Sequence, residues 1–198
     1  VTDCNYKALN NLAVRYEDKA DELRQAGEEA AAIIEYERAL VHFKEALACD
    51  VDHTRHYNIG NVHRKLQRFD EALAAYHEAL KLRPDYARTH NNIGSIYFKK
   101  HKNYPMALKH FQLAAATDDG SGDGPYNWGV ALFTVAGNER DKGNEAGGLE
   151  LYRQARSRFY DARKAGHRGA PGMIERINKL LPAEANARRP PLTPPPLP

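Results

Sequence analysis

Asparagine stands at one register of an internal pattern, as Asn11, Asn58, Asn92 and Asn127. Each precedes an apolar and then a small residue: Asn11-Leu12-Ala13, Asn58-Ile59-Gly60, Asn92-Ile93-Gly94 and Asn127-Trp128-Gly129. An amide side chain carries both donor and acceptor groups. It can pair with the N–H and C=O of a peptide whatever side chains that peptide bears. Amides repeated at one groove position are therefore chemistry for holding an extended backbone. The competing reading is that Asn here serves helix packing or solvation. Its presence in every unit favours the ligand.

Other constellations carry less. His53, His56 and His63 are the nearest histidine group, but His56 and His63 fall at packing positions of the pattern, and no cysteine pair completes a zinc site. The stretch Gly120-Ser121-Gly122-Asp123-Gly124 precedes Pro125 and reads as a loop before a helix start, not as a phosphate cradle. No nucleotide-binding glycine motif or nucleophile elbow is present. No catalytic residue, metal or cofactor is implied.

The chain has 198 residues, 42% hydrophobic and 28% charged, with 29 basic against 26 acidic side chains. That composition folds, and the near-balance of charge offers no clustered basic face for nucleic acid. No apolar run approaches the ~20 residues of a membrane helix. Cys4 and Cys49 form no paired motif, so a disulfide is not expected and a reducing, cytoplasmic setting is. The start, Val1-Thr2-Asp3, has neither an initiator Met nor an apolar signal region, as in a fragment or processed chain.

The elements that must position the asparagines are paired helices. From His53 to Tyr86 the apolar and small residues recur at helical spacing, through Ile59, Gly60, Ala72, Tyr76, Ala79 and Leu80, with a turn near Leu66 to Phe69. The next unit repeats this through Ile93, Gly94, Tyr97, Ala107, Phe111 and Ala114, with one extra residue near His101 to Pro105. The first and last units align without a gap: Gly27 with Gly143, Tyr36 with Tyr152, Ala39 with Ala155, Phe43 with Phe159. Both are longer than the inner units by about two turns on each helix, with Gly27 and Gly143 suited to the turn. A final stretch places Ile174, Ile177, Leu180 and Leu181 on one face and ends at Pro182.

This pattern resembles the tetratricopeptide repeat (TPR) family, whose unit is about 34 residues in two antiparallel helices. Only His56 and His90, at a position the family fills with an aromatic residue, depart from it. The resemblance implies an all-α, right-handed superhelix over 1–170, with repeats at about 6–52, 53–86, 87–121 and 122–170, a capping helix at 171–182 and a proline-rich tail at 183–198. It implies a non-catalytic scaffold that binds a peptide in a concave groove. The groove residues carried over are Asn11, Asn58, Asn92 and Asn127 with Asn10, Tyr57, Asn61, Arg64, Lys65, Arg88, Asn91, Ser95, Phe98, Lys99, Tyr126 and Phe133.

The cations and aromatic rings in that set suit a partner with acidic residues and an aromatic or a proline. The carboxylate clamp of chaperone-binding members is incomplete. Asn61 and Asn92 match it, but Tyr57, Asp123 and Asn127 stand where its cations belong, which disfavours a co-chaperone role. Self-association through the outer hairpins or the tail is the other reading, and the acidic stretch from Glu17 to Glu29 suits a basic partner. The tail reads first as a spacer, and its spacing Arg188, Pro191, Pro194 also resembles an SH3-domain ligand or a segment that docks on a TPR surface. No nucleic acid or membrane partner is expected.

Overall fold

A computed structural model describes residues 4–117 and 120–182. The expectations placed on the proline-rich tail lie outside these residues. All regular structure among them is helical, in two compact units, 1–84 and 85–198.

The first unit holds α1 (Tyr6–Gln25), α2 (Glu29–Cys49), α3 (His53–Lys65) and α4 (Phe69–Leu82). Its helices pair as α1 with α2 and α3 with α4, and α2 packs on α3. The second unit holds α5 (Ala87–Ile96), α6 (Tyr104–Ala116), α7 (Asp123–Asp141), α8 (Glu145–Lys164) and α9 (Ala170–Leu180). Here α5 pairs with α6, α6 packs on α7, α7 pairs with α8, and α9 covers α8. Local signals start the helices. The side chains of Asn5, Asp52, Asn103 and Asn144 each accept a backbone N–H of the first turn, at 2.8–3.2 Å.

The outer pairs are the longer ones, with 20 and 21 residues in α1 and α2 and 19 and 20 in α7 and α8, against 13 and 14 in α3 and α4. Gly27 and Gly143 take the left-handed conformation at their turns, φ 83° and 85°. The extra residue after α5 is absorbed within the helix. Tyr97–His101 form a π-helical turn continuous with α5, closed by Lys102 at φ 53°.

Each pair closes where a helix meets a ring. A Cβ on Gly60 would stand 2.5 Å from the Tyr76 ring, one on Gly94 2.8 Å from Phe111, and one on Gly129 2.9 Å from Phe159. In the first pair the small residue is Ala13, wholly buried in a core with Ala20, Ala32, Tyr36, Ala39, Leu40 and Phe43. The terminal helix buries Ala170, Ile174 and Ile177 against α8, and Leu181 beyond its end is buried too. Leu180, expected on the same face, is 37% exposed.

The cysteines correct the sequence expectation. Cys4 and Cys49 are bonded, with Cα atoms 5.9 Å apart. The reason is geometric. Helices α1 and α2 are antiparallel and nearly equal in length, so the residue ahead of α1 and the last residue of α2 meet at one end of the hairpin. The ground for expecting a reducing compartment is thereby removed.

Two outcomes follow for stability. Gly60→Ala should cost about 1–3 kcal/mol by overpacking, because Tyr76 is fully buried and its hydroxyl is anchored on Asn61. A urea unfolding midpoint equal to wild type would contradict it. The native, unreduced chain should show no titratable thiol, and Cys4→Ser should lower the unfolding free energy by about 2–4 kcal/mol.

Candidate functional site

The register that brings a small residue against its partner helix also aims the asparagine. At about 100° per residue, a position two residues earlier points about 160° away, to the opposite side of the helix. Asn11 on α1 and Asn58 on α3 thus look away from α2 and α4, and Asn92 on α5 and Asn127 on α7 look away from α6 and α8.

In the first unit Asn11 is exposed and Asn58 half-buried, and neither amide makes a hydrogen bond to a described residue. Asn10 is half-buried beside Asn11. Asn61 is engaged, accepting the Tyr76 hydroxyl at 2.7 Å, and Tyr57 packs its ring on Tyr76 at 5.9 Å. Arg64 is half-buried without a carboxylate partner among the described residues, its Nε closed off from solvent and unbonded.

Lys65 does not behave as expected. Its ammonium is held by Glu17 at 2.7 Å and Asp21 at 2.5 Å. It belongs to a cluster in which Tyr36 donates to Asp21, and Arg24 lies over the Tyr36 ring and donates to the Lys65 carbonyl at 2.9 Å. Lys65 therefore joins α1 to α3 and is not a cation offered to a ligand. Burial opposes ionisation of Asp21, but the hydrogen bonds from Lys65 and Tyr36 outweigh it and hold the carboxyl below its ordinary value of 3.8. Burial and the bond to Asp21 push the Tyr36 hydroxyl well up, keeping it a donor.

In the second unit the Asn127 amide donates to Asn91 Oδ1 at 3.2 Å, tying α7 to α5. Asn92 and Ser95 are half-buried on α5, and Arg88 and Lys99 are exposed. Arg88 and Lys99 make no ion pair with a described residue, so they are cations available at this surface. The aromatic residues are largely structural. Phe98 packs on Tyr104 and Phe111, Tyr126 stacks on His167 at 3.8 Å and meets Phe159 edge-on, and Phe133 lies on Tyr152 under the Arg176 guanidinium.

Two features have no forerunner in the sequence reading. His90 and His110 are both buried, their Nδ1 atoms 3.1 Å apart, with Tyr97 stacked on His110. The signal was His90 at an aromatic position, without any hint of its partner. Arg55 is buried at the start of α3, and only its flanking acids, Asp50 and Asp52, mark it in the sequence.

A family model described as TPR repeat matches residues 56–100. No curated protein matches the chain. Among solved structures, MamA residues 41-end from Desulfovibrio magneticus RS-1 is similar at 20% identity and TM-score 0.50, over 87% of this chain and 96% of that one. A MamA RS-1 double mutant gives 19%, 0.50 and the same coverage. YrrB, a TPR protein, gives 21% and 0.47, over 86% of this chain and 87% of that one. At these identities the likeness to the two MamA structures speaks for the fold alone. No described helix is long and apolar enough to cross a membrane.

The Asp21 cluster sets a pH dependence. A carboxyl whose pKa is depressed by folding contributes stability that is present above the ordinary aspartate range and is lost as pH falls through the folded value. Wild type should lose unfolding free energy as pH drops below about 4. Asp21→Asn should be less stable at neutral pH and show a shallower acid slope. Parallel slopes in urea titrations at several pH values would remove Asp21 from this role.

Proposed function

We propose that this chain, a member of the tetratricopeptide repeat family, is a non-catalytic adaptor that holds an extended segment of a partner protein along its asparagine-bearing helices. One observation carries the reading. On α1 and α3, the Asn11 and Asn58 amides face away from the partner helices and are engaged by no other described residue. An amide left unpaired at the surface can take a peptide N–H and C=O as readily as water. Arg64 on α3 of the first unit, and separately Arg88 and Lys99 in the second, add positive charge to these units, which suits a segment that carries acidic residues. The aromatic rings are engaged in packing, which leaves selectivity to the polar groups.

A second reading has its own observation. Helix α2 leaves Ile33, Ile34 and Val41 at 40%, 55% and 53% exposure. These are apolar surfaces suited to contact with another copy of the chain. In that case the assembly is structural and the asparagines are incidental.

Affinity capture with wild type against single Asn58→Ala and Asn92→Ala variants tests the first reading. The expected result is loss of a common set of partners in at least one variant, with folding unchanged by circular dichroism. An identical partner set in all three proteins would refute it. Light scattering on the same samples bears on the second reading, which fails if the particle has the mass of one 22.3 kDa chain.

A further inference from the structure

A cavity of about 310 Å³ lies in the first unit between the beginnings of α1 and α3. Tyr6, Lys7, Asn10 and Asn11 form one wall, and Asp52, Thr54 and Arg55 the other. Apart from the Asp52 carboxylate, which accepts the Thr54 N–H at 2.8 Å, every polar side chain on it is a donor or can act as one.

Arg55 is the unusual member. Its side chain is only 8% exposed, with Nη2 paired to Asp50 at 2.8 Å and the guanidinium 4.5 Å from the centre of the Tyr6 ring. Its Nε and Nη1 are buried and have no hydrogen-bond partner among the described residues. Asp52 is the nearest other acceptor, but Nη1 stands 4.0 Å from it. Asp52 is already engaged, taking the Thr54 N–H at 2.8 Å as the helix cap and facing His53 at 3.2 Å. Buried charged donors left without acceptors are costly, and Arg55 itself lines the cavity. Lys7 on the facing wall is exposed and has no carboxylate partner among the described residues. The N-terminal end of α3 adds its partial positive charge.

The two flanking acids limit what can bind. Asp50 and Asp52 offset much of the Arg55 charge, so a doubly charged group meets more repulsion than a singly charged one. We propose that this cavity is a carboxylate subsite for an Asp or Glu side chain of an extended peptide, with Lys7 and Arg55 as its cations and Asn10, Asn11 and Thr54 as neutral donors. The proposal rests on the peptide-binding reading and specifies where along α1 and α3 an acidic side chain anchors. It does not use Asn61 and Asn92, the two positions at which this chain matches the carboxylate clamp.

The test uses the full chain and three probes: a blocked Gly-Glu-Gly-Gly-Glu-Gly peptide, its Gln counterpart, and inorganic phosphate. Binding is read in nitrogen-edited NMR spectra from the Arg55 Nε–H and the Asn10 and Asn11 side-chain amides. The Glu peptide should shift these signals and the Gln peptide should not. Lys7→Gln should weaken the Glu peptide about tenfold, while Lys44→Gln, an exposed lysine on α2, should not. Arg55→Lys should abolish the response, and the Lys7 variant keeps the test decisive if Arg55→Lys does not fold. No shift with the Glu peptide, equal shifts with the Gln peptide, equal losses in both lysine variants, or a response to phosphate alone would each overturn the subsite. If the subsite fails while partner capture still depends on Asn58 or Asn92, the peptide-binding reading stands without it.

Discussion

The contact between a small residue on one helix and an aromatic ring on the next organises this protein. Gly60 under Tyr76, Gly94 under Phe111 and Gly129 under Phe159 leave no room for a Cβ. Such a contact fixes both the distance between two helices and the rotation of each about its own axis. Rotation matters most for function. Once Gly60 is pinned against Tyr76, Asn58 has only one direction left, away from α4. The asparagine surface is thus a consequence of packing on the opposite face.

The fold was legible because that contact has a sequence signature. Small and aromatic residues at helical spacing locate each pair, and the gap between signatures in the outer units gives their extra length. Gly27 and Gly143 mark their turns because only glycine adopts that backbone without strain. The inner turns carry Gln67 and Lys102 in the same left-handed region, where composition gives no warning. The disulfide was not legible from cysteine spacing, yet two antiparallel helices of nearly equal length bring Cys4 and Cys49 together. Helix lengths known to within a turn would have shown it.

The site was legible by position and not by partnership. The pattern fixes which residues stand on the outward side of each helix, but side-chain pairing across helices depends on distances that the pattern does not contain. Lys65 is held by Glu17 and Asp21, residues of the preceding hairpin. Asn61 is engaged by Tyr76, and Asn127 by Asn91. Phe98, Tyr126 and Phe133 complete the cores of their own pairs. A sequence reading assigns all of these to a ligand because it sees only the direction in which each one starts.

Removing the engaged residues changes what the surface can recognise. Aromatic rings already packed on one face offer less to a proline or a ring of a partner than their number suggests. Among the described residues the groups left without a hydrogen-bond or carboxylate partner are polar: Asn11 and Asn58, Arg64, Arg88, Lys99 and Lys7, with Arg55 at the start of α3 only partly bonded. Amides bind backbone regardless of sequence, so they cannot discriminate among peptides. Discrimination must therefore come from charge, and charge acts most strongly where water is excluded. Arg55 is the cation that meets this condition, because it is buried, stacked on Tyr6 and incompletely bonded. Exposed cations act mainly on the rate of an encounter with an acidic group; in the proposed subsite the buried Arg55 is the group that would fix where such an acid lies.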